Sequence, residues 1–185
     1  MTHEIILSGF GGQGIMVMGQ LLTQAGLEEG KQVSWIPSYG PEMRGGTAYC
    51  SVIISDDIIG SPLINNPTLL VPMNLPSMHR FEPLMQAGGT MIINSSLILE
   101  EPKRTDIKVF KAPMNDLASE LNSTKVLNII GLGTIVAASK IVSQEAALKA
   151  IEKTFGEKFA SKPQLLELNK NAFAKGLAAI PANAM

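Results

Sequence analysis

Two short segments of this sequence carry residues suited to holding an anion. The first is Gly9-Phe10-Gly11-Gly12-Gln13-Gly14, which follows the apolar run Glu4-Ile5-Ile6-Leu7-Ser8 and leads into a helical pattern. Strand, glycine turn and helix, in that order, build a loop whose free amide N–H groups and partial positive charge face whatever sits there. In this reading Gly9 permits the tight turn, Gly11 lets a ligand or a partner's backbone approach, and Gly14 lets the helix pack on the strand. The second segment is Pro41-Glu42-Met43-Arg44-Gly45-Gly46. Arg44 offers a planar fork for carboxylate or phosphate, and Gly45-Gly46 let a partner's backbone come close. Spacing alone leaves two readings of this segment open: half of a site for one anionic group, or a surface turn with a solvated arginine.

The groups that would turn such a site into a reaction centre are scarce. A dinucleotide-binding domain needs an acidic residue about 20 residues after its glycines, at the end of the second strand, to hold the ribose hydroxyls. Here the second apolar run, Gln32-Val33-Ser34-Trp35-Ile36, ends in Pro37-Ser38-Tyr39-Gly40-Pro41, with no Asp or Glu to close it. Ser8 precedes the glycines, but no histidine lies in the loop regions to activate it. Asp56 and Asp57 are neighbours on an extended chain, so they point apart and read as a polar turn. Cys50 is the one cysteine. It can form no internal disulfide and no cysteine-ligated cluster, and its strand setting predicts a buried, inert thiol. His3 and His79 match no metal spacing. Trp35 is expected in the core, and the ten methionines are expected in core or subunit contacts. No catalytic residue and no metal ligand set is therefore assigned to this chain.

The elements that must position these loops follow from the apolar pattern. Strands are expected at 4–8, 32–36, 47–54, 69–72, 90–94 and 107–110, with a short return at Ile58-Ile59. Helices are expected at about 12–28, from the Asn74 cap to about Gln86, and at 114–121, 126–142, 144–155 and 163–179. Strands alternating with helices imply an α/β fold of three layers, a mainly parallel sheet with helices on both faces (Rossmann-like), followed by a helical C-terminal third. Both glycine loops leave strands at their carboxyl ends, where ligands meet such sheets. The 185 residues suit a single domain, 1–185. Net charge of −1 provides no field for nucleic acid. A charged fraction of 17% against 45% hydrophobic residues fits either a large core or apolar surface buried against other chains. The apolar stretch 126–142 is too short and too polar for a membrane span. The chain opens directly on a strand without a basic-then-apolar leader, so a cytoplasmic location is expected.

The combination of Gly9-Phe10-Gly11-Gly12-Gln13-Gly14, Pro41-Glu42-Met43-Arg44-Gly45-Gly46 and Gly60-Ser61-Pro62 resembles the gamma subunit of 2-oxoacid:ferredoxin oxidoreductases of the 2-oxoglutarate, 2-oxoisovalerate and pyruvate types. Asn128-x-x-x-Leu132-Gly133 and Ala172-Phe173-x-x-Gly176 extend the resemblance, in order, over nearly the whole chain. What it implies is a complex that decarboxylates a 2-oxoacid on thiamine diphosphate, passes electrons through iron–sulfur clusters to ferredoxin and gives an acyl-CoA. Thiamine diphosphate and the clusters would sit on alpha, beta and ferredoxin-like delta partners. This chain would assist assembly and help enclose coenzyme A, with Gly9, Gly11, Gly12, Gln13, Gly14, Arg44, Gly45 and Gly46 facing its phosphates or a neighbouring subunit. Two other functions stand beside this one: a stand-alone NAD(P)-dependent oxidoreductase, which the missing strand-end acid opposes, and a purely structural assembly subunit.

Overall fold

A six-stranded sheet in the order β2-β3-β1-β4-β5-β6 carries the molecule. The strands are β1 (Thr2–Phe10), β2 (Gln32–Ser38), β3 (Thr47–Ser55), β4 (Leu69–Pro72), β5 (Thr90–Asn94) and β6 (Lys108–Ala112). The computed structural model describes residues 1–38 and 47–181. Ladders β1–β4, β4–β5 and β5–β6 are parallel, whereas β3 runs antiparallel to both β1 and β2. Five strands thus share one direction, and β3 is reversed between two of them. This refines the expected mainly parallel sheet. The expected Ile58-Ile59 strand does not form, and Ile58 is exposed. A return strand would need a free edge beside β3, and both of its edges are already paired with β1 and β2.

Alternation along β1 sends Ile5 and Leu7 to one face and Ile6 to the other. The first face is thickly covered. Helix α1 (Ile15–Glu28) buries Ile15, Met18, Leu21, Leu22 and Ala25 at helical spacing. It packs beside α4 (Leu127–Ser139), whose residues from Leu127 to Val136 are all buried. Helices α3 (Met114–Glu120), α5 (Gln144–Ser161) and α6 (Gln164–Ala178) complete this layer. Among the described residues the second face carries only α2 (Leu75–Phe81) and a 3-10 turn at Glu82–Leu84, over Ile6, Leu70, Met91 and Ile93. No helix among the described residues is long and apolar enough to cross a membrane.

Helix ends differ from the sequence pattern for local reasons. α1 begins at Ile15 because Gly12 and Gly14 take positive φ of 100° and 77°. α2 stops at Phe81 because Pro83 lacks an N–H and crowds the preceding turn. α5 continues to Ser161, where Lys162-Pro163 blocks it. Asn74 caps α2, its side chain accepting from Ser77 N at 3.0 Å, and Ser143 caps α5 by accepting from Ala146 N at 3.1 Å.

The late glycines have a packing role. A Cβ on Gly133 would lie 2.5 Å from the Phe173 carbonyl and 3.0 Å from Gly176 Cα, and one on Gly176 would collide with the Ile130 carbonyl. α4 and α6 therefore touch backbone to backbone. The segments Asn128–Gly133 and Ala172–Gly176, separate in sequence, are one helix crossing in space.

Candidate functional site

The site lies at the carboxyl ends of β1, β4 and β5. The chain runs from β1 to one side of the sheet for β2 and β3, then returns to the other side of β1 for β4. Such a reversal is where α/β sheets of this kind open a crevice, and the glycine turn stands at that point.

Gln13 bridges this crevice. Its Oε1 accepts from Phe10 N at 2.6 Å and its Nε2 donates to the Met73 carbonyl, just past β4, at 3.3 Å. Gly9 is what admits that side chain: a Cβ there would collide with Gln13 Oε1 and lie 2.9 Å from Met73 Cβ. Gly9 thus serves close approach, and the turn's positive φ values fall on Gly12 and Gly14. Gly14 lies against another helix and not against the strand, since its Cβ would be 2.8 Å from Asn128 Cβ at the start of α4. A Cβ on Gly12 would meet nothing within 4 Å, so this position opens outward.

Electrostatically, the turn is a bare helix end. The first main-chain bond of α1 runs from Met18 N to Gly14 O, so earlier amides have no acceptor inside the helix. No side chain caps Gly14 and no acid occupies the first turn. The partial positive charge of α1 therefore meets no acidic side chain in its first turn. Among the described residues, the polar side chains bonded around it are neutral. Asn94, at the end of β5, donates from Nδ2 to the Met73 carbonyl at 3.3 Å and to Asn115 Oδ1 at 2.7 Å, and accepts from Met114 N at 3.2 Å. Ser8 is fully buried, and its hydroxyl donates to Ser77 Oγ at 2.9 Å. This asparagine–serine network was missed in the sequence; its signal was an Asn at or just beyond two consecutive apolar strands.

The remaining candidates lie elsewhere. Arg44, Gly45, Gly46 and Tyr39 fall outside the described residues. Cys50 and Trp35 converge beneath Gly19 of α1, with the indole N–H turned toward the sulfur without a well-formed hydrogen bond. Burial pushes the Cys50 thiol up to about 12, and the indole offsets this only in part. Asp56 is bound to the chain's amino terminus at 2.7 Å, and that contact holds its carboxyl below the usual range. His79 is exposed and paired with Glu100 at 2.9 Å. Among the described residues no group of His, Cys, Asp and Glu is arranged to hold a metal ion.

The fold, the helix crossing and the neutral crevice extend over the same stretch that one family model covers: pyruvate ferredoxin/flavodoxin oxidoreductase matches residues 4–179. The chain belongs to this family. Within the oxidoreductase family, ketoisovalerate oxidoreductase subunit VorA of Methanothermobacter marburgensis is 33% identical over 174 residues. That match takes in 94% of this chain and 35% of VorA, so the chain spans about a third of that relative's length. The 2-oxoglutarate synthase subunit KorC of Methanocaldococcus jannaschii is 36% identical over 154 residues, 82% of each chain. A crystal structure of a keto/oxoacid ferredoxin oxidoreductase gamma subunit from Geobacter sulfurreducens shares the fold with a TM-score of 0.83 at 30% identity, over 98% of this chain and 99% of that one. The oxidoreductase-family domain seen here is therefore of the gamma type, and VorA carries a similar stretch within a longer polypeptide.

Proposed function

We propose that this chain is the gamma subunit of a 2-oxoacid:ferredoxin oxidoreductase complex, where it assists assembly and encloses coenzyme A. The observation that carries the reading is the end-to-end likeness to a gamma subunit in a chain whose crevice presents amide dipoles but no reactive group. One buried cysteine cannot ligate an iron–sulfur cluster. On the resemblance to the gamma subunit, thiamine diphosphate, the clusters and the choice of 2-oxoacid would belong to alpha, beta and ferredoxin-like delta partners, with ferredoxin as acceptor. The complex works where such partners and ferredoxin are found, in the cytoplasm.

The turn suits the phosphate end of coenzyme A. Gly11, Gly12, Gln13 and Gly14 lead into an uncompensated helix end, and Gly12 is open to a ligand's approach. Arg44 would add a fixed cation, and Gly45-Gly46 would let ligand or partner backbone come near. When bound, coenzyme A supplies the thiol that accepts the acyl group. This chain's residues would hold its phosphates, orient it toward the neighbouring active site and exclude water from that passage. A nicotinamide dinucleotide fits less well, because β2 ends in Ser38 with no acid for the ribose.

The experiment is steady-state kinetics of the assembled complex. Arg44→Ala is expected to raise KM for coenzyme A and leave KM for the 2-oxoacid unchanged. An unchanged coenzyme A KM with intact assembly would retire the contact. Omitting the chain from the alpha–beta complex separates the roles: full activity without it would leave neither.

A further inference from the structure

Among the described residues the second face of the sheet is thinly covered where β2 and β3 meet, because α2 packs mainly against β1 and β4 and reaches β3 through Arg80 and Phe81 at Tyr49. This strip is a groove of about 360 Å³ with Ile36, Tyr49 and Ser51 on its floor. Arg80, Leu63 and Leu84 line its sides. Arg80 is held over two aromatic rings, its guanidinium carbon 5.0 Å from the Tyr49 centroid and 4.9 Å from the Phe81 centroid. Among the described residues it makes no hydrogen bond or ion pair, and neither Glu82, two residues on, nor Glu100, bound to the adjacent His79, is free to pair with it. Glu100 pairs with His79 at 2.9 Å, and Glu82 is buried and accepts from Arg104 N at 2.7 Å.

Stacking orders the guanidinium in advance and leaves its planar N–H fork unfilled. The group that matches such a fork is a carboxylate, bound through two parallel hydrogen bonds. The surroundings decide which kind of molecule brings it. Leu63 is 71% exposed and Leu84 43%, so they stand on the rim of the groove, and Ile36 on its floor is still 36% exposed. A free small acid would leave them in water; a polypeptide segment would bury them. An arginine and a tyrosine at the centre of an apolar rim are also the residue types that anchor protein interfaces.

We propose that this groove docks a segment of a partner polypeptide that presents an Asp or Glu flanked by apolar residues, with Arg80 as its anchor. The proposal rests on the gamma-subunit reading only for the existence of a resident partner. It places one interface on the face of the sheet opposite the glycine turn's helix, which leaves that turn free.

The test is to recover the tagged full chain with its partners from its own cells and compare amide exchange in the complex with that of the purified chain. Residues 34–38, 49–53 and 78–84 are expected to be protected in the complex. Arg80→Glu should cut partner recovery about 10- to 100-fold, as expected of an interface anchor, with Arg80→Lys losing less. Leu63→Ser, at a site too exposed to unfold the chain, should weaken it as well. An exchange-open groove in an intact complex, recovery of the chain alone, a dimer of this chain closing the groove, or equal protection by millimolar succinate would each overturn the proposal. A 2-oxoacid-active complex with the groove open would refute the docking and leave the function standing. A complex inert to 2-oxoacids with the groove covered would refute the function and leave the docking standing.

Discussion

Cys50 shows how burial decides the behaviour of a single side chain. Its thiol is raised from 9.0 to about 12 because the ionised form would lose its hydration beneath α1. The folded chain holds this proton more tightly than the unfolded chain does. The contribution to stability is therefore full below pH 9 and is lost progressively as pH rises toward 12. Thiol reagents at pH 8 are expected to modify the native protein only at its unfolding rate, and Cys50→Ala should flatten the alkaline fall in stability; rapid labelling would contradict the buried placement. The inert state was legible in the strand-like neighbours of Cys50. The role of Gln13 was not. Its place in the glycine motif was evident, but its partner Met73 is sixty positions away in the sequence, and only the closed crevice brings the two together.

At the scale of elements, the crossing of α4 and α6 is the tightest joint. Gly176→Ala would set a methyl group into the Ile130 carbonyl, which belongs to main chain and cannot swing aside. The expected cost is about 1–3 kcal/mol or more, read as a lower urea midpoint with unchanged slope. A second joint links α1 to α5. Burial works to raise the Glu29 pKa, but the Ser143 N–H at 2.6 Å, the Ser143 hydroxyl and Lys31 overcome it, and the net shift is downward. The folded pKa lies below the unfolded one, so this stabilisation is present above the usual carboxylate value of 4.5 and disappears as pH falls through the lowered pKa. Glu29→Gln should remove that part of the acid sensitivity in a pH series of urea melts. Most element positions were legible because apolar periodicity is a local property. What escaped is non-local: the vanished strand at Ile58-Ile59 and the reversal of β3 both depend on which sheet edges are already occupied. The candidate site was legible in its glycines and helix, and illegible in the asparagine network, whose members join only after β4 and β5 align.

For the whole molecule, the arrangement is a presenting scaffold: one thick helical layer, one thinly covered face and a turn that aims helix-end charge outward. The purified chain should show no rise in Tm with NAD+ or NADP+ and no turnover of 2-oxoacids; a nucleotide-dependent rise would mean that Gln13 yields its place in the crevice.

The reversed strand β3 also orders events in time. β1 and β2 are never hydrogen-bonded to each other, since β3 separates them along its whole length. A nascent chain that has released only its first forty residues therefore holds two strands with no ladder between them. Pairing at this end of the sheet must wait for residues 47–55, and then two ladders close together. A ribosome stalled before that point would display an unpaired, protease-sensitive amino-terminal segment, and one stalled after it a zipped three-stranded unit.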